Sequence, residues 1–251
     1  MTTPDRITPV IDFAKDLSNL FDLSGQVAFV PGGTGGLGEA ICWGLAQAGA
    51  AVAIAGRDER KARELADAIS NAGFRAEPFA FDAMEVASIE QTTDRVATTF
   101  DRIDALINCI GIQIEQPLGI VTEDAFDRVY QSNLKSAMFL AQATARHQIA
   151  GGRGGRQVHL LSVRSQLGLR GRGYSAYAST KGALVMLVKQ HALELAPHGI
   201  TVNGVAPTFV YTEMIRHVME RPDFRAELER RIPLGRIAEP KDVVGPVLFF
   251  A

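Results

Sequence analysis

Apolar residues along this chain fall into short runs set between stretches with a helical period. Gln26–Val30, Ala51–Ala55, Arg75–Phe81, Ala105–Ile110, Gln157–Ser162 and Ile200–Ala206 read as strands. Gly36–Ala48, Asp58–Asn71, Val86–Phe100, Phe126–Ile149 and Ala176–Ala196 read as helices. Strands alternating with helices imply right-handed crossovers and a parallel sheet flanked by helices on both faces. No repeat or linker interrupts the alternation, so residues 25–251 are expected to form one doubly wound α/β domain. Residues 1–24 precede it as an extension. There Val10, Ile11, Phe13, Ala14, Leu17, Leu20 and Phe21 recur at helical spacing. That spacing predicts a short helix laid on its own domain or on a sister subunit.

Composition narrows the function classes. The chain has 251 residues, 47% of them hydrophobic, which suits one domain with a large core. Charged residues make up 22% and the net charge is -2, which argues against a nucleic-acid partner. Gly151-Gly-Arg-Gly-Gly-Arg156 looks like an RNA-binding box. One short copy in a mildly acidic chain reads instead as a solvated turn. No apolar run approaches the ~20 residues of a membrane span. The start lacks the basic-then-apolar layout of a signal peptide. Cys42 and Cys109 lie far apart in apolar contexts and read as buried thiols in a reducing cytoplasm. No cluster of Cys, His and Asp has the spacing of a metal site.

Candidate chemistry begins where the first strand runs into Pro31-Gly-Gly-Thr-Gly-Gly-Leu-Gly38 and a helix opens at once. A glycine loop between strand and helix is a dinucleotide phosphate cradle of Rossmann type. Gly32 allows the tight turn, Gly36 lets backbone approach a pyrophosphate, and Gly38 lets the helix pack close. Thr34 and Leu37 complete the loop, and the helix N-terminus supplies N–H donors. The second strand ends in Gly56-Arg57, with no carboxylate to repel a 2′-phosphate. Arg57 can grip such a phosphate bidentately, so NADP(H) is favoured, with NAD(H) possible. Arg57 is otherwise a plain solvated charge; Arg60 and Arg63 add positive potential. Asp82, after the third strand, would bind the adenine amino group or cap a helix.

Near the other end stands Tyr177-Ala-Ser-Thr-Lys181, where a Tyr is followed four residues later by a Lys. One helical turn puts phenol and ammonium on the same face. A nearby positive charge stabilises a phenolate, so such a Tyr is expected to exchange protons nearer neutral pH than the usual ~10.

With these motifs in this order, residues 20–251 resemble the short-chain dehydrogenase/reductase superfamily. The loop resembles Thr-Gly-x-x-x-Gly-x-Gly, with Pro31 where Thr is usual, so the loop is expected to be braced differently. Asn108-Cys-Ile-Gly111 resembles Asn-Asn-Ala-Gly, with Cys109 and Ile110 departing from it. Asn133 matches the helix Asn of the catalytic tetrad. Pro207-Thr208, with Val210 and Thr212, resembles the segment that contacts the nicotinamide carboxamide. Ser162 takes the catalytic Ser position; Ser165 stands nearer the usual gap before Tyr177, but Ser162 ends the expected strand. The resemblance implies that Tyr177 exchanges a proton with the substrate oxygen as hydride is transferred. It implies that Ser162 stabilises that oxygen, that Lys181 lowers the phenol pKa and holds the ribose, and that Asn133 holds a water leading to solvent. A non-catalytic sensor on the same fold would not need that set.

For the substrate, Arg164, Arg170 and Arg172 follow the catalytic strand and would clamp a carboxylate or phosphate. They otherwise make a solvated loop. Gln113 and Glu115 stand where hydroxyls would be bound. A hydroxylated or acidic small molecule is expected. Leu20-Phe-Asp-Leu-Ser-Gly-Gln26 and Gly111-Ile-Gln-Ile-Glu-Gln-Pro-Leu118 look most like the gluconate 5-dehydrogenase and sugar-dehydrogenase branch, with an oxoacyl-thioester reductase as the nearest rival. Residues 209–236 are expected to form a mobile lid, with Met214, Ile215, Val218 and Met219 covering substrate or packing inward. The family ends in a further strand, whereas this sequence stops at Ala251 in the last expected helix. The two long helices offer a dimer face, so a homo-oligomer, dimer or tetramer, is expected.

Overall fold

The computed structural model describes residues 19–212 and 222–251. The chain runs β1 (Val27–Pro31), α1 (Gly36–Gln47), β2 (Ala51–Gly56), α2 (Glu59–Asn71), β3 (Ala76–Ala80) and α3 (Val86–Phe100). It continues through β4 (Ala105–Asn108), α4 (Glu123–Tyr130), α5 (Ser136–Gly151), β5 (Gly155–Leu160), α6 (Ser175–Leu195) and β6 (Ile200–Val205). Helices α7 (Pro222–Arg231) and α8 (Lys241–Phe250) close it. All six strands pair in parallel in the order β3-β2-β1-β4-β5-β6. The order reverses between β1 and β4, and a crevice opens at the C-terminal ends of strands at such a switch point.

Alternate residues of one strand feed two cores. Ala28, Val30, Val52 and Ile54 meet α1, α2 and α8 through Ile41, Leu45, Ile69 and Val247. Val27, Phe29, Ala53 and Ala55 meet α3 and α5 through Ile89, Val96 and Leu140. Every residue of β1 is buried. Strands covered on both faces read as unbroken apolar runs, which is why they stand out in the sequence. Asp58 caps α2 by accepting from Lys61 N at 3.1 Å, and Thr122 caps α4 by accepting from Ala125 N at 3.3 Å.

The structure corrects the expected elements in two places that bear on function. The stretch Phe126–Ile149 is not one helix. It splits into α4 and α5 across a π-helical turn, Gln131–Lys135. Strand β5 stops at Leu160, two residues short of Ser162, which instead caps the short 3₁₀ turn Val163–Ser165. Within Gly151–Arg156 only residues 152–154 form the turn, with Gly152 at φ 64° capping α5 and Gly154 at φ 76° just before β5. The expected helix over residues 10–18 and the lid residues Met214, Ile215, Val218 and Met219 lie outside the described residues. Leu20 and Phe21 are exposed, with the Phe21 ring 6.5 Å from that of Phe249.

Candidate active site

The crevice holds a cavity of about 380 Å³, and the glycine loop forms one wall. Gly32 has φ +80°, and a Cβ there would sit 2.9 Å from the Cys109 carbonyl carbon. A Cβ on Gly38 would overlap the Gly32 carbonyl oxygen. Gly38 therefore lets α1 close on the loop itself rather than on the strand. With Pro31 in place of a hydroxyl residue, backbone does the bracing. Gly32 N and Gly33 N both donate to Ala55 O, at 2.9 and 3.2 Å, and Cys109 N donates to Pro31 O at 2.9 Å. Gly35 is the N-cap of α1 and no side chain caps that end. Gly35, Gly36, Leu37 and Gly38 line the cavity at this uncapped helix end, whose free first-turn amides suit an anionic pyrophosphate.

At the end of β2, a Cβ on Gly56 would meet Thr34 Oγ1 at 2.5 Å, so Thr34 packs the loop against that strand. Arg57 follows, exposed, with no bond to another of the described residues. Arg60 and Arg63 differ, being paired on α2 with Glu64 and Glu59 at 2.6 and 2.8 Å. Asp82 accepts from Met84 N at 2.9 Å and so closes a turn; the cap of α3 is Glu85.

The opposite wall is made of side chains. Asn133 is buried in the π turn. Its Oδ1 accepts from Ile112 N at 2.8 Å, and its Nδ2 donates to Ile112 O at 3.0 Å and Thr180 Oγ1 at 3.3 Å. The extra residue of a π turn swings Asn133 inward to make these bonds, a local irregularity of the kind found at functional sites. Lys181 on α6 is 3% exposed, and its Nζ donates to Leu160 O at 2.6 Å. Burial draws its pKa down to about 8. The Nζ lies 5.8 Å from the Tyr177 ring centroid.

Tyr177 corrects an expectation. Its pKa lies above the usual value because burial outweighs a hydrogen bond from Ser162 that favours the phenolate. Lys181 is not among the groups that shift it, since its Nζ is turned to the β5 carbonyl. The groups that draw the phenol pKa down are Ser162 and, through its charge, Arg164. Arg164 N donates to Ser162 Oγ at 3.1 Å, which leaves the Ser162 proton to point at Tyr177 or at a substrate oxygen. Ser165 does not line the cavity.

Gly32, Gly36, Leu37, Gly38, Gly111, Gln113, Glu115, Ser162, Arg164, Arg172, Tyr177, Lys181, Pro207, Thr208, Val210 and Thr212 all line this one cavity. Asn108 does not. It braces the turn after β4, with Oδ1 accepting from Ile110 N at 3.1 Å, and so ends the strand early. Arg170 opens on a separate cavity against α7. Cys109 is not fully buried as expected. It is partly exposed on the cleft wall, and burial of its thiol raises the pKa to about 12.

Two residues escaped the sequence reading. Tyr174 lines the cavity with its ring 6.0 Å from that of Tyr177; its position three residues before Tyr177 was the available signal. His159 is buried in β5, its Nδ1 3.2 Å from Asn108 Nδ2. An amide nitrogen only donates, so Nδ1 accepts and the ring proton sits on Nε2, which has no partner. Burial drops the His159 pKa to about 3. A His inside an apolar strand run was the only hint.

A family model described as enoyl-(acyl carrier protein) reductase matches residues 32–251. The chain belongs to the short-chain dehydrogenase/reductase family. It is 33% identical to gluconate 5-dehydrogenase of Gluconobacter oxydans over 93% of this chain and 90% of that one. It is also 33% identical to 2-dehydro-3-deoxy-D-gluconate 5-dehydrogenase of Escherichia coli, over 92% of this chain and 90% of the relative. A solved gluconate 5-dehydrogenase from Burkholderia cenocepacia, in complex with NADP and tartrate, superposes with a TM-score of 0.89 at 36% identity. That match covers 93% of this chain and 90% of that one. The protein is thus an oxidoreductase acting on CH–OH groups. Among the described residues no helix is long and apolar enough to cross a membrane, and no group of acidic, His and Cys side chains could hold a metal.

Proposed function

We propose that this protein interconverts a secondary alcohol and a ketone on a hydroxylated small molecule, a sugar or keto-sugar acid, using NADP(H). The observation that carries the reading is that Ser162, Tyr177 and Lys181 line the same cavity as the glycine loop. Bound NADP(H) would supply or take the hydride. Gly36, Leu37 and Gly38 amides would hold its pyrophosphate, and Arg57 its 2′-phosphate. The relative solved with NADP supports that choice over NAD(H).

Tyr177, held protonated by burial, gives its proton to the carbonyl oxygen in reduction. Ser162, its own lone pair occupied by Arg164 N, donates to the same oxygen as charge develops there. Lys181, with a pKa near 8, exchanges protons close to neutral pH behind Tyr177. Asn133 fixes the Ile112 segment that frames this corner. The reaction is expected in the cytoplasm, where both free cysteines stay reduced. Exposed Tyr130 and Met138 on α4 and α5, with Met186 and Leu193 on α6, support a homo-oligomer built on these helices.

The test is NADPH oxidation at 340 nm, and separately NADH, against keto-sugar acids, neutral ketoses and an acetoacetyl thioester. Turnover of the sugar carbonyls with NADPH is the expected result. Turnover of the thioester alone would move the enzyme to acyl substrates, and silence with NADPH still bound would favour a sensor.

A further inference from the structure

The three arginines expected to meet the substrate are in different states. Arg172 is spent on a clasp. Its Nε bonds Glu115 Oε1 at 2.6 Å, its Nη2 bonds Glu115 Oε2, and it lies 5.4 Å over the Tyr174 ring. The same Glu115 accepts from Gly173 N at 3.3 Å, and Gln116 N donates to Gly173 O at 3.0 Å. A Cβ on Gly173 would overlap the Gln116 backbone. The pair ties two loops together, and its charges cancel. Arg170 is exposed and lies outside the catalytic cavity.

Arg164 is the exception. It lines the cavity beside Ser162 and Tyr177, and among the described residues no carboxylate pairs with it. Its Nη1 donates to Leu167 O at 3.2 Å and Gly168 O at 2.8 Å. Those two carbonyls fix the guanidinium plane without neutralising it, and they leave Nε and Nη2 unused. An uncompensated guanidinium held rigid in a cleft is built for a planar anion.

Gln113 supplies a second observation. It lines the same cavity, and both its amide Nε2 and Oε1 are buried without any partner. A buried amide left unpaired costs free energy, and a hydroxyl, both donor and acceptor, satisfies either end.

We propose that Arg164 binds a carboxylate of the substrate and Gln113 reads a neighbouring hydroxyl, so that the cleft selects hydroxy acids over neutral polyols. This rests on the sugar reading above and narrows it. The probes are D-gluconate and its neutral counterpart D-glucitol, titrated by calorimetry into enzyme loaded with NADP⁺. Wild type is expected to bind gluconate about 10- to 100-fold more tightly, the range of one charge-assisted contact. Arg164→Gln should bring that ratio near one, and Arg164→Lys should keep part of it. Equal binding of the two by wild type, or a ratio unmoved in Arg164→Gln, overturns the proposal. Reduction of neutral ketoses with no preference for gluconate sinks the anion site and leaves the sugar reading. An Arg164-dependent preference with no carbonyl reduced upholds the anion site and sinks the sugar reading.

Discussion

The two walls of the cleft are built from different material. The cofactor wall is backbone: Gly32 and Gly38 are there because a Cβ does not fit, and the uncapped first turn of a helix lines the cavity. The catalytic wall is side chain: Ser162, Tyr177 and Lys181 line the cavity, and the polar groups Lys181, Asn133 and His159 are each at most 3% exposed and tied to groups far away in sequence. A backbone site is tuned by shape and keeps its chemistry at any pH. A buried polar wall is tuned by desolvation, which moves pKa values and makes stability depend on pH.

The largest expected difference is in acid stability. His159 is neutral in the fold, with a pKa lowered from 6.5 to about 3. Between those values the unfolded chain binds the proton and the folded chain does not, so stability falls as pH drops. The full effect is roughly 5 kcal/mol once both forms would be charged. Urea unfolding followed from pH 7 to 4 should show about two thirds of this loss, the rest appearing as pH approaches 3. His159→Leu should be less stable at pH 7, with Asn108 Nδ2 unpaired, yet show a flatter acid limb. A slope identical to wild type would remove His159 from the account.

Chemistry comes next. Tyr177→Phe keeps the ring and removes the proton, so kcat should fall about 10²- to 10⁴-fold while NADPH affinity is kept. Turnover surviving in that variant would show that another group carries the proton. On the backbone wall, Gly38→Ala drives a methyl into the Gly32 carbonyl and should cost about 2–3 kcal/mol, read as a lowered Tm together with weakened NADPH binding. Loss of stability without loss of cofactor binding would show the loop tolerates the shift. The smallest effect is at the exposed rim. Arg57→Ala should weaken NADPH about 10-fold and NADH hardly at all. Equal losses for both coenzymes would mean that Arg57 does not read the 2′-phosphate.

How much was legible follows the same division. Strands β1, β2 and β4 were readable because helices cover both sheet faces there, so their apolar runs are nearly unbroken. The glycine loop was readable because steric exclusion leaves one residue type. The split of Phe126–Ile149 was not, because the break is caused by Ile112, 21 residues upstream, whose backbone captures Asn133. Nor was the early end of β5, where Ser162 turns away to cap the chain.

By itself the sequence determined the parallel α/β order, the cradle for a dinucleotide phosphate and the Tyr177–Lys181 pair on one helical face. These rest on local periodicity and on the absence of a Cβ, properties that neighbours in sequence carry. Only the tertiary structure decided that the Lys181 ammonium bonds the Leu160 carbonyl while burial raises the Tyr177 phenol pKa. It also decided that Arg172 is neutralised by Glu115 while Arg164 is not. The reason is physical: charge and proton affinity depend on burial and on partners brought from distant segments, and neither is encoded in the spacing of the residues themselves.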